Sequence, residues 1–96
     1  MAKLLRFDGG EDTVQPADPK KGFTLEEAYT LIGCDTVQLI RAGRNGWLLF
    51  DENGKFKPDW QSRINERASA ILHESGGVPW DYITGHALLC DRREWR

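Results

Sequence analysis

The sequence lacks the segments that mark secreted and membrane proteins. Its N-terminus has no apolar stretch typical of a secretory signal peptide, and no apolar run approaches the length of a membrane-spanning helix. It contains only two cysteines, Cys34 and Cys90, which lie far apart in the sequence. We therefore expect a cytoplasmic protein that does not bind membranes and whose cysteines are reduced and at least partly buried.

An excess of charge of one sign is also missing. The 96 residues include 13 Lys and Arg and 15 Asp and Glu, which are mixed along the chain and give a formal net charge of −2. Nucleic-acid-binding proteins usually carry a basic patch, and no basic block is present here. Nor is there an acidic tail. The charge pattern therefore argues against nucleic acid as a partner.

Metal-binding spacings are absent as well. Asp8, Glu11 and Asp12 place three carboxylates around two glycines, but without the ligand order of an EF-hand loop. We interpret this segment as a solvated turn. The two cysteines, together with His73 and His86, show no zinc-site spacing. We expect no metal ion and no cofactor.

The sequence does not identify a catalytic group. The Gly9-Gly10 and Gly76-Gly77 pairs do not match a phosphate-binding loop, and we interpret both as turns. His86 follows Gly85 and stands near Asp81, but a catalytic pair would need a third group to orient the base. The sequence does not supply one, so we expect a protein that is not an enzyme.

What is present is an ordinary globular composition. The chain is 40% hydrophobic and 29% charged, and it has four tryptophans, which is enough for a single core.

Residues 4–7 and 13–15 predict a short N-terminal hairpin, and residues 16–22 predict a surface loop. Thr24 and Glu27 have capping-box spacing. A stripe of apolar residues follows and ends at Gly33, which predicts a first helix.

Two further strands, a helix and a last strand follow in the pattern. Residues 36–40 and 46–50 predict a hairpin around Asn45-Gly46. Its second strand has no polar alternation, so we expect it to be central and covered on both faces. Asn53-Gly54 predicts another turn. Asp59 predicts the cap of a second helix, with an apolar stripe from Trp60 to Leu72, and residues 82–90 predict a last strand with a bulge or close packing at Gly85.

This order, β(β)-α-β-β-α-β, predicts an α+β fold. We expect a single two-layer domain with a mostly antiparallel sheet of four to five strands and two helices packed on it. Residues 1–22 would form the N-terminal hairpin and loop, residues 23–90 the core, and residues 91–96 a charged tail.

The stretch from Thr24 to Arg92 resembles a family known as domain of unknown function 3846. The resemblance rests on Leu25-Glu26-Glu27-Ala28 with Gly33, on the segment from Trp47 to Lys55, on Asn65 with Ala68, and on the segment from Asp81 to Leu89. The chain departs from the family at His86, where a small polar residue is usual, and in the loop after Lys55. The resemblance implies a bacterial or phage setting and no assigned reaction.

Five polar residues are candidate binding residues: Glu52, Asn53, Asn65, Asp81 and His86. The first three would contact a ligand or partner at the rim of the sheet. The alternative is conformational, because Asn and Asp are favoured in turns for their own geometry. For Asn65, the alternative is a satisfied or exposed position on the helix. For His86, it is a packed or surface histidine.

The residues favour a small non-catalytic binding or interaction protein, and the resemblance implies that it is of phage or mobile-element type. A protein partner or self-association is the main expectation, and Trp80 and Trp95 lie outside the clearest apolar stripes. The C-terminal Arg92-Arg93-Glu94-Trp95-Arg96 segment either docks a partner or a second copy, or folds back so that Trp95 covers the core. The alternative function is binding or sequestering a small, nucleotide-like metabolite.

Overall fold

The computed structural model describes residues 2–44, 46–78 and 80–95. Within these ranges the chain forms seven strands, two α-helices and two single 3₁₀ turns, at Gly54–Phe56 and Trp60–Arg63. In chain order the elements are β1 Ala2–Leu5, β2 Glu11–Val14, α1 Leu25–Ile32, β3 Val37–Arg41, β4 Gly46–Asp51, β5 Ile64–Asn65, α2 Glu66–Glu74, β6 Ile83–Thr84 and β7 Ala87–Asp91. Neither of the two α-helices in these ranges has the length and hydrophobicity of a membrane-spanning segment.

Five of the strands form one antiparallel sheet in the order β2-β1-β7-β4-β3. The predicted α+β class, with a mainly antiparallel sheet and two helices, is confirmed. The N-terminal hairpin belongs to this sheet, because β1 pairs with β7 in a register that sets Lys3 opposite Leu89. Strands β5 and β6 form a separate two-stranded pair.

The two helices cover opposite faces of the sheet. On one face Ala28 and Ile32 of α1 pack with Leu49 of β4, and on the other Ala68 of α2 packs with Leu48. The expected two-layer arrangement is therefore wrong in this detail, and the domain has three layers. The reason lies in β4, whose successive apolar residues point to alternate faces. Both faces must be covered, as the missing alternation in residues 46–50 predicted.

The first helix begins and ends as predicted. The Thr24 hydroxyl accepts a hydrogen bond from the Glu27 amide at 3.1 Å, and the Glu27 carboxylate accepts one from the Thr24 amide at 3.0 Å. These two bonds satisfy amides that the first helical turn leaves unpaired. Gly33 ends the helix with φ of 81°, in the left-handed region that glycine adopts without strain.

The second helix begins later than predicted. Asp59 makes no side-chain cap, and the residues after it form the second 3₁₀ turn and β5 instead of a helix. Asn65 is the true cap, since its Oδ1 accepts a hydrogen bond from the Ala68 amide at 3.1 Å. The pairing of Ile64 with Thr84 occupies the backbone that a longer helix would have needed.

The predicted last strand is divided in two. Gly85 has φ of 84°, and its amide donates to the carbonyl of Arg63 at 2.7 Å. A single strand over residues 82–90 is therefore wrong, because this left-handed residue redirects the chain between β6 and β7. The predicted Asn45-Gly46 turn lies partly outside the described residues, at Asn45. Gly46 itself starts β4.

The C-terminal segment folds back onto the body of the domain. The Glu94 carbonyl accepts a hydrogen bond from the Phe23 amide at 2.6 Å, and the half-buried Trp95 packs against the core cluster that contains Ala2 and Phe23. Of the two alternatives for this segment, the structure therefore has Trp95 at the edge of the core. Arg96 lies outside the described residues.

Candidate functional site

A pocket of about 90 Å³ opens at the β3 edge of the sheet, on the face that α2 covers. Its apolar lining includes Phe50 of β4, Leu72 of α2 and Ile83 of β6. Strand β3 is the last strand on this side. The pocket is therefore lined by apolar side chains together with polar ones, among them Gln38 and Thr84, and the loops that follow β4 and precede β6 supply its rim.

The rim of the pocket is mainly acidic. Asp51 is buried, and its carboxylate pairs with Lys57 at 3.1 Å and accepts a hydrogen bond from the Asn53 amide at 2.9 Å. Glu52 is exposed and lines the same pocket, but its carboxylate has no ion pair or hydrogen bond to any residue that the structure describes. Glu52 is thus a free negative charge at the pocket.

Lys55 and Asp81 form an ion pair on the rim. The Lys55 ammonium also lies 4.7 Å from the centre of the Tyr82 ring, and Tyr82 in turn stacks on Trp60, with ring centres 5.5 Å apart. The hydrogen bond from Lys55 holds the pKa of Asp81 below its ordinary value, aided by the bond from the Tyr82 amide. These contacts join the first 3₁₀ turn to the segment before β6.

Two aromatic side chains extend into solvent beside this ion pair. Phe56, next to Lys55 in sequence, is 83% exposed, and Trp80, next to Asp81, is 79% exposed. No other large apolar side chain in the described ranges exceeds 50% exposure. We call Lys55, Phe56, Trp80, Asp81 and Tyr82 the aromatic surface. Sequence analysis missed Phe56, although an aromatic residue directly after the predicted Asn53-Gly54 turn was the available signal.

The structure brings two of the five predicted site residues together. Glu52 and Asp81 both line the pocket. Asn53 lies next to Glu52 in the same turn, but its side-chain amide donates to the Thr36 hydroxyl at 2.9 Å. That bond ties the turn to the residue before β3, which is the conformational role that the sequence left open.

Asn65 is buried within the fold rather than placed at a binding surface. Its side-chain amide donates to the carbonyls of Leu5 at 2.8 Å and Gly85 at 3.0 Å. The hydroxyl of Ser69 donates to the Asn65 carbonyl at 2.7 Å and accepts from the Ile83 amide at 2.9 Å. Only 1% of Asn65 is exposed, so its polar groups connect β1, α2 and β6.

His86 lies by the N-terminal hairpin and does not pair with Asp81. Its ring stacks on Phe7 with centres 5.1 Å apart, and its Nδ1 accepts a weak hydrogen bond from the Phe7 amide at 3.4 Å. Burial lowers the pKa of His86, and Arg63 lowers it further. The histidine that contacts Asp81 is His73, whose Nε2 lies 2.7 Å from the Asp81 carbonyl oxygen.

The two cysteines and the acidic turn contribute to the structure of the domain rather than to the pocket. Both cysteines are free thiols, as expected, and burial raises the pKa of Cys90 to about 12. In the acidic turn, Arg6 lies 3.4 Å from Asp8 and 3.5 Å from Asp12, and Glu11 pairs with Lys3 at 3.4 Å and with Arg67 at 3.3 Å. In the described part of the chain, no three His, Cys, Asp or Glu residues converge in a way that could hold a metal ion.

Two wider depressions lie elsewhere on the surface. One of about 410 Å³ borders the start of α1 at Thr24 and Glu27, and one of about 430 Å³ lies between Arg41 and the end of α2 at Glu74. Neither is lined by an aromatic side chain. The pocket with the aromatic surface is therefore the site at which apolar exposure and charge coincide.

Comparison of the chain with protein-family models, with curated proteins and with solved structures found no match. The resemblance to domain of unknown function 3846 stays a prediction that rests on the residues quoted for it.

Proposed function

We propose that this protein is a small non-catalytic interaction protein that binds another protein through the aromatic surface. One observation carries the proposal. The two most exposed large apolar side chains among the described residues, Phe56 and Trp80, are each adjacent in sequence to one member of the Lys55–Asp81 ion pair. Large exposed apolar groups gathered in one place are typical of interaction sites.

The energetics of association favour this surface. An aromatic side chain removes about 150–250 Å² from water when it is buried, and tryptophan is enriched among the residues that dominate binding energy. Without any partner, the Lys55–Asp81 ion pair already joins the first 3₁₀ turn to the segment before β6. The stack of Tyr82 on Trp60 joins the second 3₁₀ turn to the same segment. Because the surface is already ordered, binding loses less conformational entropy.

The same groups are poorly suited to catalysis. Lys55 and Asp81 neutralise each other, so neither is a free base or acid at the pocket. His86 contacts Phe7 in another part of the molecule, and Cys90 is a buried thiol with a raised pKa.

A phage or mobile-element setting and a cytoplasmic location also belong to the proposal. The setting rests on the family resemblance, and the location on the sequence pattern.

Binding of a small, nucleotide-like metabolite is the weaker alternative. Ligand pockets usually measure about 300–1,000 Å³, whereas the pocket beside Glu52 has about 90 Å³. Its acidic rim also opposes a phosphate group. A metabolite of this class would require the pocket to open and its charge to be compensated.

The test compares the chain with a Phe56→Ser, Trp80→Ser double variant. Both side chains are mostly exposed, so the variant should keep its fold, which circular dichroism verifies. Immobilised wild-type protein should retain a partner from bacterial lysate that the double variant binds at least about tenfold more weakly, since interface hot spots contribute about 2 kcal/mol or more each.

A Leu25→Ser variant is the matched control, because Leu25 is a half-exposed leucine at the start of α1. It should retain the partner like the wild type. Equal retention by the double variant would contradict the proposal. So would a stoichiometric small molecule released from the denatured protein, which would favour the metabolite alternative.

A further inference from the structure

We infer that the partner presents a basic segment, with a lysine or arginine side chain bound at the pocket beside Glu52 and neighbouring apolar residues on Phe56 and Trp80. The inference rests on the proposed function, since it specifies the chemistry of the partner for the same surface.

The first argument is charge complementarity. Three carboxylates line the pocket, those of Asp51, Glu52 and Asp81, against the single ammonium group of Lys55. A second lysine, Lys57, offsets Asp51. Asp81 is offset by Lys55, which leaves Glu52 as the negative charge without a counterion among the residues described. Complementary charge steers association and suppresses partners of the wrong sign.

The second argument is that the chain already places an ammonium group on this surface. Lys55 binds the Asp81 carboxylate and lies over the face of Tyr82, 4.7 Å from the ring centre. A carboxylate beside an aromatic face is a favourable environment for a cation. Lys55 and Trp60 already contact the Tyr82 ring, so a second cation would have Glu52 as its counterion and the exposed rings of Phe56 and Trp80 as its available aromatic faces.

The third argument is size. A pocket of about 90 Å³ has room for the end of one long side chain and is well below the volume of pockets that take drug-sized ligands. Lysine and arginine bring a slender apolar stem and a polar tip. The charged tip enters first and pairs with the carboxylates of the lining, and the stem contacts Phe50 and Leu72.

The experiment is selection of binders from a random displayed peptide library on immobilised protein. The selected peptides should be enriched in lysine and arginine next to apolar residues. Glu52→Gln should weaken their binding about fivefold, and the effect should shrink as salt rises. The Phe56→Ser, Trp80→Ser variant should abolish binding.

The matched control is Glu26→Gln, which removes the same charge from an exposed position on α1, the helix on the other face of the sheet. It should leave the affinities unchanged. Peptides without basic residues that still depend on Phe56 and Trp80 would overturn this inference and leave the proposed function standing. Peptides whose binding survives the double variant would overturn both.

Discussion

The imidazole of His86 stacks on Phe7 at the turn of the N-terminal hairpin, and its Nδ1 accepts a hydrogen bond from the Phe7 amide. Only the neutral ring has an acceptor nitrogen. Protonation would remove that bond and place a cation among charged neighbours. The groups that face the ring are Arg63, Asp8, Arg6 and Asp12. Burial is the main reason why the pKa is lowered, and Arg63 adds to it.

A pH dependence of folding follows from this lowered pKa. In the unfolded chain a histidine has a pKa of about 6.5. Above that pH, His86 is neutral in both the folded and the unfolded state, and its contribution to the free energy of unfolding is fully present. As pH falls from about 6.5 to the lower folded pKa, the unfolded state binds the proton first, and the free energy of unfolding decreases. Urea unfolding measured across this range should detect the decrease.

The variant for this measurement is His86→Gln, whose side-chain oxygen still accepts a hydrogen bond but does not titrate. The loss of stability in this pH range should become smaller than in the wild type. An equal loss in both proteins would contradict the role given to His86.

Single residues also show why only part of the site could be predicted. The sequence indicates Glu52 because polar residues close to sheet and helix ends tend to gather at a rim, and it indicates Asp81 because that residue stands near His86. Asn65 fits the same pattern, yet its amide bonds to Leu5 and Gly85 inside the fold. Hydrogen bonds to distant backbone carbonyls leave no local sequence pattern. Phe56 was missed because exposure of an apolar residue depends on tertiary packing.

At the scale of elements, the sequence predicted local structure well, but it predicted the pairing of strands that are distant in sequence poorly. The capping box of Thr24 and Glu27 is confirmed because every group in it lies within one turn. The start of α2 was wrong because the apolar stripe from Trp60 fits a helix equally well. The strand pairing of Ile64 with Thr84, twenty residues away, decides between helix and strand there, and periodicity does not encode it.

The cap of α2 provides a test at this scale. Asn65→Ala removes the acceptor for the Ala68 amide and leaves the carbonyls of Leu5 and Gly85 without their donor. Loss of a cap costs about 1 kcal/mol, and an unsatisfied buried polar group costs about 1–3 kcal/mol. We expect the free energy of unfolding, from urea titration, to fall by about 3 kcal/mol.

Two further variants separate the cap from the donors. Thr24→Ala removes only a helix cap, at an exposed site, and should cost about 1 kcal/mol. Asn65→Asp keeps an acceptor for the helix amide but cannot donate to the two carbonyls, so it should cost more than Thr24→Ala. If Asn65→Ala and Thr24→Ala lowered the free energy of unfolding by the same amount, the hydrogen bonds to Leu5 and Gly85 would contribute nothing to stability.

At the scale of the whole molecule, the N-terminal hairpin is part of the core. Ala2, Leu4 and Leu5 of β1 are all buried, and β1 pairs with β7. The sequence left open whether this hairpin joins the main sheet, because pairing between residues more than eighty positions apart is set by the complete fold. The five-stranded sheet therefore combines strands that lie far apart in the sequence.

Removal of residues 2–15 should abolish folding. Burial of a leucine side chain contributes about 1.5–3 kcal/mol, so the loss of Leu4 and Leu5 alone approaches the 5–15 kcal/mol that typically stabilises a domain. Circular dichroism of the shortened chain should show no cooperative thermal transition. A peptide of residues 1–15 should restore the transition, and the same peptide with Leu5→Lys should not. A cooperative transition without the peptide would contradict this prediction.

The position of β7 in the sheet has a consequence for synthesis of the protein. This strand lies between β1 and β4, yet it is the last of the seven strands to leave the ribosome. Until residues 87–91 emerge, the hairpins β1–β2 and β3–β4 have no strand to join them, and their inner edges remain open to other chains. Completion of the sheet is therefore a late event, and the two separate hairpins are prone to aggregation before it.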